Sequence, residues 1–196
     1  MLSCAIAGPS AGMAHCTEAG LIEKSAGLWG KAGQRSLARS ALLEGVEQLK
    51  RAIDQVASLP ATPALRREEV KLEVAFANVL ALTGDLVDGK EHYDRALAIC
   101  DSAEHHTLTT RSGRDVRVTL LSYRSNCVWQ LGYPAASLND AERAVKNARE
   151  SGHAATLVYA LSRAATGHIW CGNYAAAHEQ IDELIALADE IGRAHV

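Results

Sequence analysis

The chain has 196 residues, of which 48% are hydrophobic and 22% charged, so it can bury the core of one domain or one short repeat array. Twenty basic and 23 acidic side chains give a net charge of −3. This balance argues against a nucleic-acid partner, because a polyanion is held by an excess of positive charge. Aromatic residues make up 5% of the chain and prolines number four, which favours helices over a β-sandwich or barrel.

The N-terminal segment and the cysteines bear on the cellular compartment. Residues 1–14 have no basic start, and glycines and a proline interrupt their apolar run, so we do not expect a secretion signal. No window reaches the roughly 20 apolar residues of a membrane span. The five cysteines are odd in number and form no C-x-x-C pair, which is typical of a reducing compartment. We therefore expect a cytoplasmic protein that has no membrane partner.

A sequence repeat organises most of the chain. Each copy has a glycine, an apolar residue two positions later, a small residue at five, and in most copies an apolar residue at nine and a small one at twelve. The glycine accepts the left-handed conformation that ends one helix, and the other sites then share one face of the next helix. Small side chains on that face allow the preceding helix to approach closely. The predicted repeat-packing residues are Gly20, Trp29, Ala32, Gly84, Gly89, Tyr93, Ala96, Gly132, Ala144, Gly172 and Ala177.

Helical periodicity predicts antiparallel helix pairs. Apolar residues three or four apart predict first helices over 65–82, 116–131 and 154–170, and second helices over 86–99, 134–150 and 174–189. A copy that starts with Ser40 in place of glycine predicts a further helix over 42–58, which two prolines in 59–63 end. Residues 101–113 are polar and predict a loop. The expected fold class is all-α, an α-solenoid of antiparallel helix pairs over 14–190.

The repeat offsets resemble those of tetratricopeptide (TPR) repeats, which bury their core between stacked neighbours. Successive glycines are 132 − 84 = 48 and 172 − 132 = 40 residues apart, longer than the roughly 34 of a standard unit. The resemblance implies a TPR-like array with lengthened helices, whose first helices line an inner surface for a protein or peptide partner. An ordinary solvated polar face is the alternative. The candidate partner-binding residues on this surface are Lys71, Asn78, Ser122, Asn126, Tyr159, Ser162 and Arg163.

Longer stretches at 15–53, 59–72, 83–105, 121–150 and 171–190 resemble a region of larger bacterial signalling proteins. In those proteins a C-terminal helical-repeat region follows an adenylate or guanylate cyclase domain and an ATPase domain. No residue of this chain matches the catalytic modules. The resemblance implies a fragment that scaffolds or regulates an attached ATPase or cyclase domain. The alternative is a truncated gene product that has no independent function.

The chain departs from that family at three places. Further helix pairs expected near 76–81 are missing, and residues 1–13 match nothing in the family. Residues 191–196 have the sequence that one reading frame of a common sequencing-library adapter encodes. We interpret these six residues as an artefactual tail.

Motifs for catalysis and metal binding are weak. The stretch 84–90 has the spacing of a phosphate-binding loop, but Glu91 stands where the magnesium-binding Ser or Thr belongs. His105 and His106 are adjacent and have no second ligand pair at zinc spacing. His168 and His178 lie on different predicted helices, and we expect a buried, hydrogen-bonded histidine rather than a metal pair. We expect no metal, no cofactor and no enzymatic activity.

Three arginines surround Asp115 at the start of a predicted helix. Arg111, Arg114 and Arg117 are arranged to bind an anion there, because free N–H groups add to their charge. Alternatively, Asp115 caps the helix and the arginines are solvated or pair with acidic neighbours. We favour the second interpretation.

Overall fold

The computed structural model describes residues 21–101 and 114–193, and the described residues form eight helices. The chain divides into two compact units between Ile99 and Cys100. The division lies beside the polar segment predicted as a loop, most of which is outside the described residues. The helices are α1 (Ile22–Ala38), α2 (Leu42–Ala57), α3 (Pro63–Thr83), α4 (Leu86–Asp101), α5 (Val116–Gln130), α6 (Pro134–Ser151), α7 (Ala154–Trp170) and α8 (Tyr174–Arg193).

The predicted helices are present, with small differences at their ends. α7 has its predicted bounds, and α3 begins two residues earlier than predicted, at Pro63. It begins there because Thr62 Oγ1 accepts a hydrogen bond from the Leu65 amide at 3.2 Å, and proline fits the first turn of a helix. α8 continues to Arg193, so the first three residues of the segment 191–196 are helical. No described helix combines the length and the apolar character needed to cross a membrane.

One turn geometry recurs between the two helices of each pair. A glycine one or two residues after the first helix has a positive φ, of 91° at Gly84, 88° at Gly132 and 76° at Gly172. A Cβ at any of these three glycines meets no heavy atom within 4 Å, so they act through backbone conformation and not through packing. The amide of the next residue donates to the carbonyl five residues back, which satisfies an exposed helix end. These bonds are Ala41 to Ser36 (2.9 Å), Asp85 to Leu80 (2.9 Å), Tyr133 to Val128 (3.1 Å) and Asn173 to His168 (2.8 Å).

The inner positions of the second helices lie against the first helices. A Cβ at Gly89 of α4 would lie 3.3 Å from the Ala77 carbonyl oxygen of α3, so the glycine allows the two backbones to approach. Tyr93 follows Gly89 by about one helical turn. It is buried, and its hydroxyl donates to Asn78 Oδ1 at 2.6 Å. The buried small and bulky positions of the second helices include Leu49, Ala52, Ala96, Ser137, Ala141, Ala144 and Ala177.

In the first unit the core lies between α1, α2 and α3. Trp29 is buried there, Ala32 packs against the cluster as a half-buried residue, and the Arg51 guanidinium lies 4.9 Å from the Trp29 ring. A Cβ at Gly33 of α1 would lie 2.5 Å from Leu49 Cγ, so this glycine is a close-packing site. Gly20 lies outside the described residues.

In the second unit α5 packs on α6, α7 packs on α8, and α7 also contacts α5 and α6. Asp140 of α6 is buried and forms an ion pair with Arg124 of α5 and another, at 3.6 Å, with Arg143. The rings of Trp129 and Trp170 lie 4.8 Å apart and connect the ends of α5 and α7. The first helices of this unit are therefore held side by side.

Candidate functional site

The beginnings of α5 and α7 are fixed together by capping interactions. Asp115 Oδ1 accepts hydrogen bonds from the amides of Arg117 at 2.7 Å and Val118 at 3.2 Å, so the predicted helix cap is confirmed. At α7, His153 Nδ1 accepts from the Thr156 amide at 3.3 Å. The Asp115 amide in turn donates to Thr156 Oγ1 at 3.4 Å. This link sets the positions of the side chains on the two first helices.

Tyr159 lies at the centre of a cluster of tyrosine and arginine side chains on α5 and α7. Its hydroxyl is hydrogen-bonded to Tyr123, and the Arg114 guanidinium lies 4.2 Å from its ring centroid, a cation–π distance. Arg163 is one helical turn after Tyr159 and acts on it electrostatically. We call Arg114, Tyr123, Tyr159 and Arg163 the Tyr–Arg cluster.

The protonation state of Tyr159 follows from its surroundings. Burial raises the pKa of Tyr159 to about 12, and Tyr123 adds to the rise, while the positive charges of Arg163 and Arg114 oppose it. The hydroxyl therefore stays protonated at neutral pH, and the arginines keep their charge. The Tyr–Arg cluster contains two guanidinium groups, and Tyr159 keeps its hydrogen-bonding O–H group.

Arg163 has an unusual environment within this cluster. The residue is half-buried, and its Nε is fully covered without a hydrogen-bond partner in the described part of the chain. No acidic side chain among the described residues forms an ion pair with it. A buried N–H group without an acceptor costs free energy.

The sequence-predicted residues of α5 and α7 fall into two groups. Tyr159 and Arg163 are in the Tyr–Arg cluster, and Ser162 is exposed beside Arg163. Asn126 is half-buried, and its Oδ1 accepts from Gln130 Nε2 at 3.1 Å. Ser122 was expected on the accessible surface, but it is buried, and its hydroxyl donates to the Val118 carbonyl at 2.8 Å.

The accessible face of α5 includes Tyr123 in place of the predicted Ser122. Tyr123 shares its side of the helix with Asn126 and Gln130, which follow it at three and seven positions. The sequence analysis did not predict Tyr123 as a surface residue. An aromatic residue followed at three and seven positions by polar residues, as in Tyr123, Asn126 and Gln130, indicates such a face. The role of Arg114 was also not predicted, because a contact between residues 114 and 159 leaves no local signal.

The two predicted residues on α3 belong to the first unit and are described separately. Lys71 is exposed, and its Nζ lies 3.1 Å from Glu68. Asn78 is half-buried, and its Oδ1 accepts the Tyr93 hydroxyl proton, so part of its amide is used within the unit. These two residues remain candidates for binding.

The structure describes two of the histidines considered for metal binding, and it describes Lys90 of the glycine-lysine stretch 84–90. His168 is buried, but its Nδ1 has no hydrogen-bond partner in the described region, contrary to the expected hydrogen-bonded state; His178 is exposed. Lys90 Nζ pairs with Asp94 at 2.7 Å. His105, His106 and Arg111 lie outside the described residues. Over residues 21–101 and 114–193, no group of three or more histidine, cysteine or acidic residues could hold a metal ion.

Comparisons with known proteins show the fold. No family model and no curated protein matches this chain. BtubC (BKLC) from P. vanneervenii superposes with a TM-score of 0.73 at 11% identity, over 87% of this chain and 66% of that one. A variant of the nearly identical TPR-like repeats of a putative kinesin light chain from Podosopora anserina superposes with a TM-score of 0.69 at 12% identity. The match covers 94% of this chain and 95% of that one. A Rap protein complexed with competence and sporulation factor superposes with a TM-score of 0.66 at 14% identity, over 83% of this chain and 43% of that one.

These similarities confirm the fold class, an all-α TPR-like arrangement of antiparallel helix pairs. The identities of 11% to 14% support the fold alone. The chain spans about two thirds of the length of BtubC and less than half of the Rap protein.

Proposed function

We propose that this chain is a non-catalytic helical-repeat module that binds a protein or peptide partner through the first helices of its pairs. The observation that carries the proposal is the Tyr–Arg cluster, in which two tyrosine rings and Arg163 on adjacent first helices lie with Arg114, which precedes α5. Tyrosine and arginine are the residue types that dominate binding energy at protein interfaces. The Rap protein, a TPR-like structure of similar fold, was solved in complex with another factor, which supports a binding role.

The chemistry of the surface suits an extended peptide. Such a segment presents unpaired backbone carbonyls and N–H groups, which polar side chains along a helix can pair with. Asn126 and Ser162 stand on the two helices that also carry the Tyr–Arg cluster. The cluster offers hydrogen-bond donors and flat apolar surface, which support binding and orientation and supply neither a general base nor a metal centre.

We further propose that the natural context is a larger signalling protein, in which the repeats contact an attached ATPase or cyclase module. The resemblance in the stretches at 15–53 and 121–150 supports this context. Sequencing the gene together with its flanking DNA is the test. An in-frame cyclase or ATPase domain upstream is the expected result, and a stop codon immediately upstream with its own promoter would contradict it.

Binding is tested by selecting random peptides displayed on phage against the immobilised full chain. We expect enrichment of a common peptide motif, and we expect the Tyr159→Ala variant to lose most of it. Lys146→Ala is a matched control, since Lys146 is exposed on second helix α6. Circular dichroism checks that both variants are folded. Enrichment of no motif, or equal enrichment by Tyr159→Ala, would contradict the proposal.

A further inference from the structure

We infer that the partner segment is acidic, with an Asp or Glu side chain bound by Arg163 of the Tyr–Arg cluster. This inference rests on the proposed function, because it names the chemistry of the partner for the same surface. It follows from the distribution of charge over the second unit and from the environment of Arg163.

The two first helices of the second unit carry no negative charge. α5 and α7 contain no Asp or Glu, whereas Arg117, Arg124 and Arg163 lie within them and Arg114 precedes α5. The second helices α6 and α8 together contain eight acidic residues. Arg124 is paired with Asp140 of α6, and α6 and α8 also contain four basic residues, so the net charge of these two second helices is 4 − 8 = −4. Tyr123, Tyr159 and Arg163 of the Tyr–Arg cluster lie on the helices that lack acidic groups. A negatively charged partner is attracted to this side and repelled by the other.

Arg163 provides the specific contact. Its covered Nε lacks an acceptor among the described residues, and no described acidic residue pairs with it. A carboxylate satisfies the planar guanidinium with two parallel hydrogen bonds, which is the strongest pairing available to arginine. Because Nε is fully covered, a carboxylate would reach the guanidinium through the accessible part of this half-buried side chain, where no described acidic residue competes with it.

Tyr159 and Tyr123 complete the site beside this arginine. The Tyr159 ring, covered by Arg114 on one face, offers apolar surface for the aliphatic part of an Asp or Glu side chain. Because Tyr159 stays protonated, it adds no competing negative charge. The cluster consequently discriminates against basic segments through the repulsion of its guanidinium groups.

Fluorescence anisotropy on the full chain tests the inference with three labelled peptides that are acetylated and amidated at their ends. One carries Glu and Asp at alternating positions, the second replaces them by Gln and Asn, and the third replaces them by Lys. We expect the acidic peptide to bind at least about ten-fold more tightly than the amide peptide. Its affinity is expected to fall as the salt concentration rises, because salt screens exposed charges.

Variants of Arg163 locate the contact. Arg163→Met is expected to weaken binding of the acidic peptide about ten-fold or more, and Arg163→Lys to give an intermediate loss, because lysine keeps the charge without the planar fork. Lys146→Met on α6 removes the same charge elsewhere and is expected to leave the affinity unchanged. An equal loss in Lys146→Met and Arg163→Met would show attraction by net charge alone and would overturn the inference.

The outcomes separate this inference from the proposed function. If the amide peptide binds as tightly as the acidic one and Tyr159→Ala still weakens both, the preference for acidic segments is wrong and the binding surface stands. If no displayed peptide and none of the three defined peptides depends on Tyr159, the proposed function fails together with the inference.

Discussion

Ser40 occupies the turn position that glycine holds in the later pairs. It is the one described non-glycine residue with a positive φ, at 60°. A residue with a Cβ loses roughly 1–2 kcal/mol in this conformation. We expect Ser40→Gly to stabilise the chain by about 0.5–1 kcal/mol, after the larger chain entropy of glycine in the unfolded state is subtracted. Urea unfolding followed by circular dichroism measures the change.

Gly84→Ser is the reciprocal control for this backbone effect. Gly84 has a φ of 91°, and an added Cβ meets nothing within 4 Å, so a loss of stability cannot come from a steric clash. We expect a loss of about 1–2 kcal/mol. A destabilised Ser40→Gly variant, or an unaffected Gly84→Ser variant, would contradict the left-handed turn at the equivalent positions.

Gly33 and Gly27 both lie in α1, but only Gly33 is tightly packed against a neighbouring helix. Substituting each by alanine therefore distinguishes an effect of packing from an effect of helix propensity. A Cβ on Gly33 would lie 2.5 Å from Leu49 Cγ and 3.3 Å from the Leu49 amide nitrogen, whereas a Cβ on Gly27 meets no heavy atom within 4 Å. We expect Gly33→Ala to destabilise the chain by about 1–3 kcal/mol through overpacking. Gly27→Ala should stabilise it by about 0.5–1 kcal/mol. Chemical denaturation of both variants checks the opposite signs, and equal shifts would refute the packing of α1 on α2.

At the scale of helices, a buried ion pair connects α5 and α6. The Asp140 side chain is 1% exposed, while those of its partners Arg124 and Arg143 are 19% and 46% exposed. Arg124→Met leaves the carboxylate without its buried partner, and we expect a loss of about 3 kcal/mol. Arg143→Met, a charge-matched control, should cost less than about 1 kcal/mol. Thermal and urea unfolding measure both, and similar losses would contradict the assigned partner of Asp140.

The acidic residues of α3 predict a dependence of stability on pH. Burial, aided by the charge of Glu73 and opposed by Arg66, raises the pKa of Glu69 above its ordinary value of 4.5. The folded chain therefore binds this proton more tightly than the unfolded chain, and stability falls as the pH rises above the ordinary value. Glu69→Gln should be more stable than the natural chain at pH 7 and equal to it near the ordinary pKa or below. An equal difference at both pH values would contradict this effect.

The sequence pattern predicts the helices and their turns, but it does not predict which face of α5 is accessible. Gly84, Gly132 and Gly172 mark the turns because the left-handed conformation is strongly restricted by residue type. The accessible face of α5 is set by its contacts with neighbouring helices, so the sequence pattern placed Ser122 on that face, whereas the structure buries Ser122 and leaves Tyr123 half-buried. The contact of Arg114 with Tyr159 depends on the same long-range packing.

At the scale of the molecule, the two helices of a pair have different compositions and surroundings. In the second unit, the second helices bury small residues such as Ala144 and Ala177 and carry most of the acidic side chains. The first helices carry the Tyr–Arg cluster and no acidic residue. The close packing holds the first helices in place, which suits the binding surface that we propose.

Hydrogen–deuterium exchange of the full chain, with and without the tightest selected peptide, tests this division most directly. We expect the peptide to slow exchange in α5 and α7, with the largest effects near Tyr123 and Tyr159, and to leave exchange in α6 unchanged. Slower exchange confined to α6 and α8, with none in α5 or α7, would contradict the assignment of partner binding to the first helices.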